Sequence, residues 1–158
     1  MNVLVTGAAG LLGTELCLML KRSGHGVIGI DNGSRYALLG EDGPRAQADN
    51  FELLEKDEVE IVAMDLNDFH VRDLIRENRV THVVHAAAQV CHSRKNFFDD
   101  PFDDVSTNIS GTLGVLELAR VWSVPFLFIS SAKIYGENTN RAMVDESTPI
   151  GDQTHITF

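Results

Sequence analysis

Short unbroken apolar runs alternate along the chain with stretches of helical periodicity. Val3-Leu4-Val5 is the first run, and it is apolar throughout, as in a strand covered on both faces of a parallel sheet. Gly7, Gly10 and Gly13 follow at a spacing of three, and Leu11, Leu12, Leu16 and Leu20 then recur at helical spacing. Ser23-Gly24-His25-Gly26 predicts a turn, and Val27–Ile30 predicts a second strand that ends at Asp31. Residues 32–58 are polar and broken by Gly33, Gly40, Gly43 and Pro44, with one short helix near 50–56. So long a connection predicts an elaborated loop over one end of a site. Val59–Ala63 predicts a third strand, Asp68–Asn78 a helix, and Thr81–His85 a fourth strand running into Ala86-Ala87-Ala88-Gln89. After a mixed loop (89–103), a helix from Asp104 to about Trp122 carries Val105, Ile109, Leu113 and Leu116 on one apolar face. Pro125–Ile129 predicts the fifth strand, which leads into Ser130-Ser131, and no element is predicted from Glu137 to Phe158.

Five strands thus alternate with four helices. That order predicts an α/β fold with a doubly wound parallel sheet, the Rossmann fold. Residues 1–136 form the predicted dinucleotide-binding domain and 137–158 an irregular tail. At 158 residues the chain suits one domain, and 44% apolar with 23% charged residues is a soluble globular composition. The net charge of −10 argues against nucleic acid as a partner. It leaves a dinucleotide open, because a helix N-terminus binds phosphate without cationic side chains. The apolar stretches are too short for a membrane span, so no membrane association is expected. Cys17 and Cys91 make no CxxC, and no signal peptide is read, which predicts a reducing cytoplasm. No metal site is expected. His82 and His85 are read as facing opposite sides of their strand, and Cys91 with His92 lacks further ligands.

The candidate chemistry gathers at the strand ends. Gly7 permits a tight turn off the first strand, Gly10 close approach of a pyrophosphate, and Gly13 close packing of helix on sheet. Asp31 lies at the distance expected of a carboxylate that accepts hydrogen bonds from the adenosine ribose. It would repel a 2′-phosphate, which favours NAD over NADP, although nearby Arg35 keeps NADP in play. Asp65 reads either as a cap of the next helix or as an adenine contact. Small Ala86, Ala87 and Ala88 at a central strand end let a flat ligand lie against backbone. Arg94 and Lys95 read equally as a solvated loop or as a grip on an anionic substrate. Asn108 is either a surface residue or a buried one that needs partners. The Ser130 and Ser131 hydroxyls sit where a strand end meets the ligand crevice.

These stretches, taken in order, resemble the N-terminal part of the extended short-chain dehydrogenase/reductases, the NAD-dependent epimerase/dehydratase family acting on nucleotide sugars. Thr6–Gly13 resembles TGxxGxxG, which makes Gly7, Gly10, Leu11, Leu12 and Gly13 cofactor-binding by implication. Asp31-Asn32 resembles the ribose contact, Asp65-Leu66 the adenine contact, and His85-Ala86-Ala87-Ala88 the HxAA stretch on the nicotinamide side. Asn108–Thr112 resembles NxxGT, which implies a structural place for Asn108 in the active site. Ser130–Gly136 resembles SSxxxYG, in which Ser131 hydrogen-bonds the reacting sugar oxygen. Two loop stretches, Asp31–Tyr36 with Gly40–Gly43 and Ala87–Gln89 with the acidic run into Asn108, resemble the CDP-paratose/CDP-tyvelose 2-epimerase branch. The resemblance implies NAD as cofactor, a nucleotide sugar as substrate, and dimerisation through the 104–122 helix together with the helix that carries the family's catalytic dyad. The family's YxxxK dyad has no counterpart: Tyr36 and Tyr135 are the two tyrosines, and Gly40 and Thr139 stand four residues beyond them. The expectation is therefore a cofactor-binding part of an enzyme, with the substrate domain absent and little turnover alone. A non-catalytic, redox-sensing or regulatory dinucleotide-binding module is the alternative.

Overall fold

The computed structural model describes residues 1–34, 43–89, 101–140 and 143–150, the side chains of 43–47 and 137–140 excepted. The expected cations Arg35, Arg94 and Lys95, with Cys91 and His92, lie outside the described side chains. The chain divides into two compact units, Met1–Phe128 and Ile129–Phe158.

In the first unit, strands β1 (Asn2–Thr6), β2 (Gly26–Asp31), β3 (Glu60–Ala63), β4 (His82–His85) and β5 (Phe126–Phe128) form one sheet, ordered β3-β2-β1-β4-β5. Every pairing is parallel. Helices α1 (Leu11–Arg22), α2 (Gly43–Lys56) and α3 (Val71–Glu77) connect the first four strands. A last helical run joins β4 to β5. It comprises α4 (Pro101–Asp104), a π-helical segment (Val105–Gly111) and α5 (Thr112–Trp122). This is the doubly wound parallel sheet that the alternation predicts. The chain leaves β1 to build outward one way and returns to β4 to build the other way. The switch point between β1 and β4 is where such sheets bind ligands.

Register fixes what each face carries. Ile28, Leu4 and Val83 form one row across the sheet, and Ile30, Thr6 and His85 form the next. The first row packs under Val71 and Ile75 of α3 and Val115 and Ala119 of α5. Helices α1 and α2 contact each other and belong to the opposite face. Cys17 of α1 is fully buried, and burial pushes its thiol up to about 12, so it stays protonated as a core residue.

Both apolar stripes expected from periodicity turn out differently. In α1 the buried residues are Gly13, Thr14, Cys17 and Leu18, whereas Leu11 and Leu12 are exposed. In the β4–β5 helical run, Gly111, Val115 and Ala119 face inward, whereas Val105, Ile109, Leu113 and Leu116 are all exposed. The reason is steric. A helix in close contact puts small residues there, as at Gly111, where an added Cβ would stand 3.1 Å from Leu66 Cβ in the loop after β3. The helix predicted from Asp68 begins at Val71, and the one predicted from Asp104 begins three residues earlier, at Pro101. Asp65 does not cap α3. The helix start is at His70, and Asp68 accepts its backbone N–H at 2.9 Å.

In the second unit, Ala132–Asn140 is a 3-10 stretch kinked at Gly136 (φ 54°). It runs through the domain boundary read from the sequence. Lys133 N–H donates to Ser131 Oγ at 3.3 Å, and Asp145 Oδ1 accepts from the Ser147 backbone and hydroxyl.

Candidate dinucleotide site

The site begins where β1 ends. Gly7 takes φ +67°, which side-chain-bearing residues rarely adopt. A Cβ there would also lie 2.7 Å from Ala87 Cα, against the end of β4. A Cβ on Gly13 would overlap the Gly7 carbonyl oxygen. Gly10 then starts α1 in extended conformation, and no side chain among the described residues caps that helix. The first-turn N–H groups of Leu11, Leu12 and Gly13 consequently have no intrahelical acceptor, and the helix presents its positive end there. The Leu11 and Leu12 side chains are 70% and 57% exposed, so backbone is what these two residues bring to the site.

A cleft of about 80 Å³ opens beyond this turn. Gly7 and Gly10 form its floor, Ile30, Asp31, Asn32 and Ser34 one end, Met64, Asp65 and Leu66 another, and Ala86–Ala88 with Thr107 the far wall. Nine residues predicted from sequence therefore meet in one cleft: Gly7, Gly10, Asp31, Asn32, Asp65, Leu66, Ala86, Ala87 and Ala88. Gly13 and Asn108 stand behind it, shaping the turn and the wall. Ser131 belongs to the second unit. Ile30, Ser34, Met64 and Thr107 join the lining without having been singled out in the sequence.

Two carboxylates organise the β2–β3 end. Asp31 Oδ2 accepts the Ala9 N–H at 3.0 Å and Oδ1 accepts the Gly33 N–H at 2.8 Å. Asp65 Oδ2 accepts from Asn32 Nδ2 at 2.7 Å, and Oδ1 takes the Asn67 backbone N–H at 2.9 Å. Desolvation raises the pKa of the Asp65 carboxyl, but these Asn67 and Asn32 donors outweigh it and hold the group below its ordinary value. Asn67 Nδ2 also donates to Ser106 Oγ at 3.1 Å, tying the β3 loop to the π segment.

The far wall is held from behind. Asn108 Oδ1 accepts the Gln89 N–H at 2.7 Å, and its Nδ2 donates to the Gln89 carbonyl at 3.0 Å. This satisfies the polar side chain and fixes the chain just past Ala88. The π segment places Asn108 there, consistent with the frequent siting of such segments at functional positions. His85 is 1% exposed, with Nδ1 2.7 Å from Thr6 Oγ1 and Nε2 2.9 Å from Thr112 Oγ1. Its ring stacks on Phe126 and Phe128, and desolvation lowers its pKa. Thr6 Oγ1 in turn accepts the Ala87 N–H at 3.2 Å. Among the described residues, no group of three or more His, Cys, Asp or Glu is placed to hold a metal.

A glycine turn opening an uncapped helix, with a carboxylate on the next strand at the switch point, is the form of a dinucleotide-binding α/β protein. The chain belongs to the NAD dependent epimerase/dehydratase family, whose family model matches residues 3–155. It is 37% identical over 151 residues to UDP-glucuronate 4-epimerase 6 of Arabidopsis thaliana, covering 92% of this chain and 31% of that one. It is 34% identical over 139 residues to UDP-glucose 4-epimerase of Mycolicibacterium smegmatis, covering 86% of this chain and 41% of that one. Among solved structures it is similar to a Stenotrophomonas UDP-glucose-4-epimerase crystallised with NAD and formylated UDP-arabinopyranose. That match has a TM-score of 0.73 and 30% identity, over 95% of this chain and 42% of that one. The UDP-glucose 4-epimerase of Thermus thermophilus, in complex with NAD, gives a TM-score of 0.70 and 35% identity, over 95% and 44%. The chain spans about a third of the length of the first curated relatives it matches. No helix among the described residues is long and apolar enough to cross a membrane.

Proposed function

We propose that the cleft holds NAD and that the chain is the cofactor-binding part of a nucleotide-sugar 4-epimerase. The observation that carries this is Asp31. Its carboxylate ends β2 at the cleft, in hydrogen-bond contact with the glycine turn. The turn also fits, because its close packing tolerates no side chain: a Cβ at Gly7 would meet the Ala87 backbone and one at Gly13 the Gly7 carbonyl. Backbone N–H groups of the turn and of Leu11 and Leu12 would hold the pyrophosphate. Asp31 with Asn32 would take the adenosine ribose, and Asp65 with Leu66 the adenine. Ala86–Ala88 would form the flat wall on the nicotinamide side, with Asn108 bracing it. NAD, when bound, supplies a store that accepts a hydride and returns it.

Epimerisation then requires loss of a hydride from one sugar carbon and of the proton from its hydroxyl oxygen, turning of the resulting keto sugar, and return of the hydride to its other face and of the proton to the oxygen. Ser131 would hydrogen-bond the reacting sugar oxygen. The proton acceptor is the part these 158 residues do not supply, since neither tyrosine has a lysine four positions on. Loss of a general base costs a factor of about 10²–10⁴. We therefore expect the chain alone to bind NAD yet turn over nucleotide sugar at least about 100-fold more slowly than the whole relatives.

The named relatives support a UDP-sugar substrate, whereas the loop stretches around Asp31–Tyr36 and Ala87–Gln89 support a CDP-sugar 2-epimerase. The exposed Val105, Ile109, Leu113 and Leu116 stripe supports a second copy of the chain as partner, in the dimer the family resemblance implies. The free, buried Cys17 supports a reducing cytoplasm. The missing dyad favours one other reading, a regulatory NAD-binding module. The test is direct. NAD binding to the purified chain is titrated, and turnover of UDP-glucose, UDP-glucuronate and CDP-tyvelose is assayed for the chain and for its complete reading frame. A frame that continues into a Tyr-x₃-Lys and turns over one sugar supports the enzyme. A frame that stops at Phe158 with NAD affinity intact supports the module. Normal turnover by the 158 residues overturns the assignment of the base.

A further inference from the structure

We infer that Asn50 is a positioning residue for the pyrophosphate turn, which deepens the cofactor reading above and rests on it. Asn50 lies on α2, 41 residues from its partner, and its Nδ2 donates to the Ala9 carbonyl at 2.8 Å. Nothing in its local sequence marks it, because the bond joins two separate elements.

The case comes from what holds each peptide plane of the turn. In the Ala8–Ala9 plane, Thr14 Oγ1 donates to the Ala8 carbonyl at 3.1 Å, and Asp31 Oδ2 accepts the Ala9 N–H at 3.0 Å. In the Ala9–Gly10 plane, Asn50 Nδ2 donates to the Ala9 carbonyl at 2.8 Å, and the Gly10 N–H donates to the Gly7 carbonyl at 3.0 Å. Two successive planes are each pinned at oxygen and at nitrogen. Three of these four pins are formed by the turn itself, by α1 or by the ribose carboxylate. The fourth comes from α2. Anion binding by backbone needs N–H groups aimed at the phosphate and carbonyls turned away. Asn50 holds the Ala9 carbonyl turned toward α2, immediately before the residue that starts the helix. Weakening that hold lets the plane tilt and brings an oxygen toward the place where the anion needs a donor. Asn50 acts through Ala9 and touches no reacting atom.

The test uses the 158-residue chain with NAD, ADP and adenosine as probes and two variants. Asn50→Ala removes the donor. Asn50→Asp keeps the shape but puts an acceptor against the carbonyl. Loss of one net hydrogen bond predicts binding of NAD and of ADP weakened about 3–10-fold in Asn50→Ala. The loss should be larger in Asn50→Asp. Adenosine, which has no phosphate, should bind as in wild type. Amide hydrogen exchange at Gly10 should quicken in both variants while core amides of β1 keep their protection, which separates a loosened turn from general unfolding. ADP and adenosine weakened equally, or ADP binding unchanged in both variants, overturns the inference and leaves the cofactor reading standing. Wild-type chain that binds neither NAD nor ADP overturns the cofactor reading, and this one with it.

Discussion

The β2–β3 side of the cleft and the β4 side are built on opposite plans. On the first, the polar side chains of Asp31, Asn32 and Asp65 line the cleft and are held in place: Asn32 donates to Asp65, the Asn67 backbone N–H does so too, and Asp31 accepts from the turn. On the second, the cleft sees three alanines, and the polar groups stand behind them, with His85 between Thr6 and Thr112 and Asn108 on Gln89. A polar rim suits ribose hydroxyls and a purine, whose donors and acceptors need partners. A small, rigid, apolar wall suits a flat ring that must lie close to backbone. The difference teaches where chemistry can come from. Among the described residues of the first unit, the titratable side chain at the wall is His85, and it is buried behind it. Among those residues, the β4 side therefore shows the cleft no acid–base side chain, whereas the β2–β3 side shows it Asp31 and Asp65.

The contrast breaks most completely if the two sides are pushed apart at the switch point. Gly7 is where the turn meets the β4 wall. Gly7→Val adds a branched side chain at φ +67° and 2.7 Å from Ala87 backbone. Strain of about 1–3 kcal/mol follows from the backbone conformation alone. That predicts a thermal midpoint lower by roughly 2–12 °C. NAD titration should show no binding at millimolar concentration. Wild-type affinity in this variant would mean that the turn does not carry the pyrophosphate.

A smaller effect is expected from the polar rim. Asp31→Ala removes the proposed ribose acceptor and also the carboxylate that accepts the Ala9 and Gly33 N–H groups. Hydrogen bonds to charged groups contribute about 1.5–3 kcal/mol, so NAD affinity should fall about 10–150-fold. NADP binding should fall less, because the repulsion of its 2′-phosphate is relieved. Wild-type chain that binds NADP more tightly than NAD would reverse the choice of cofactor.

The sequence makes the sheet readable and the helix faces unreadable, for one physical reason. Strands buried on both sides, such as Val3–Val5, announce themselves by unbroken apolar runs. Helix faces are chosen by fit. Gly13, Thr14, Gly111 and Ala119 take buried places beside Cys17, Leu18 and Val115, and Leu11, Leu12, Leu113 and Leu116 are left outside. The turn and Asp31 are legible because their spacing is local and chemically constrained. Asn50 and Asn67 are not, nor are the Thr6 and Thr112 partners of His85, since each pairing joins groups that the fold alone brings near. The π segment, likewise, has no mark in the composition of Val105–Gly111, yet it sets Asn108 against Gln89.

The β4 wall offers the mildest and most specific test, through pH. Burial among Thr6, Thr112, Phe126 and Phe128 lowers the pKa of His85 below that of the same residue in an unfolded chain. Below about pH 6.5 the unfolded state therefore takes up a proton that the folded state resists. The unfolded chain then binds more protons, so stability rises with pH across this window. It is fully present above about pH 6.5 and declines as pH falls toward the depressed folded value. His85→Phe keeps an aromatic ring against Phe126 and Phe128 but removes the titrating group. It should cost about 1–3 kcal/mol at neutral pH, because the Thr6 and Thr112 hydroxyls lose a partner. Between about pH 7.5 and 5.5 its denaturation midpoint should change less than that of the wild type. Asp65, also depressed, titrates at lower pH and leaves this window clear. Parallel profiles for the two proteins would show that His85 is not the group that ties the stability of the wall to pH.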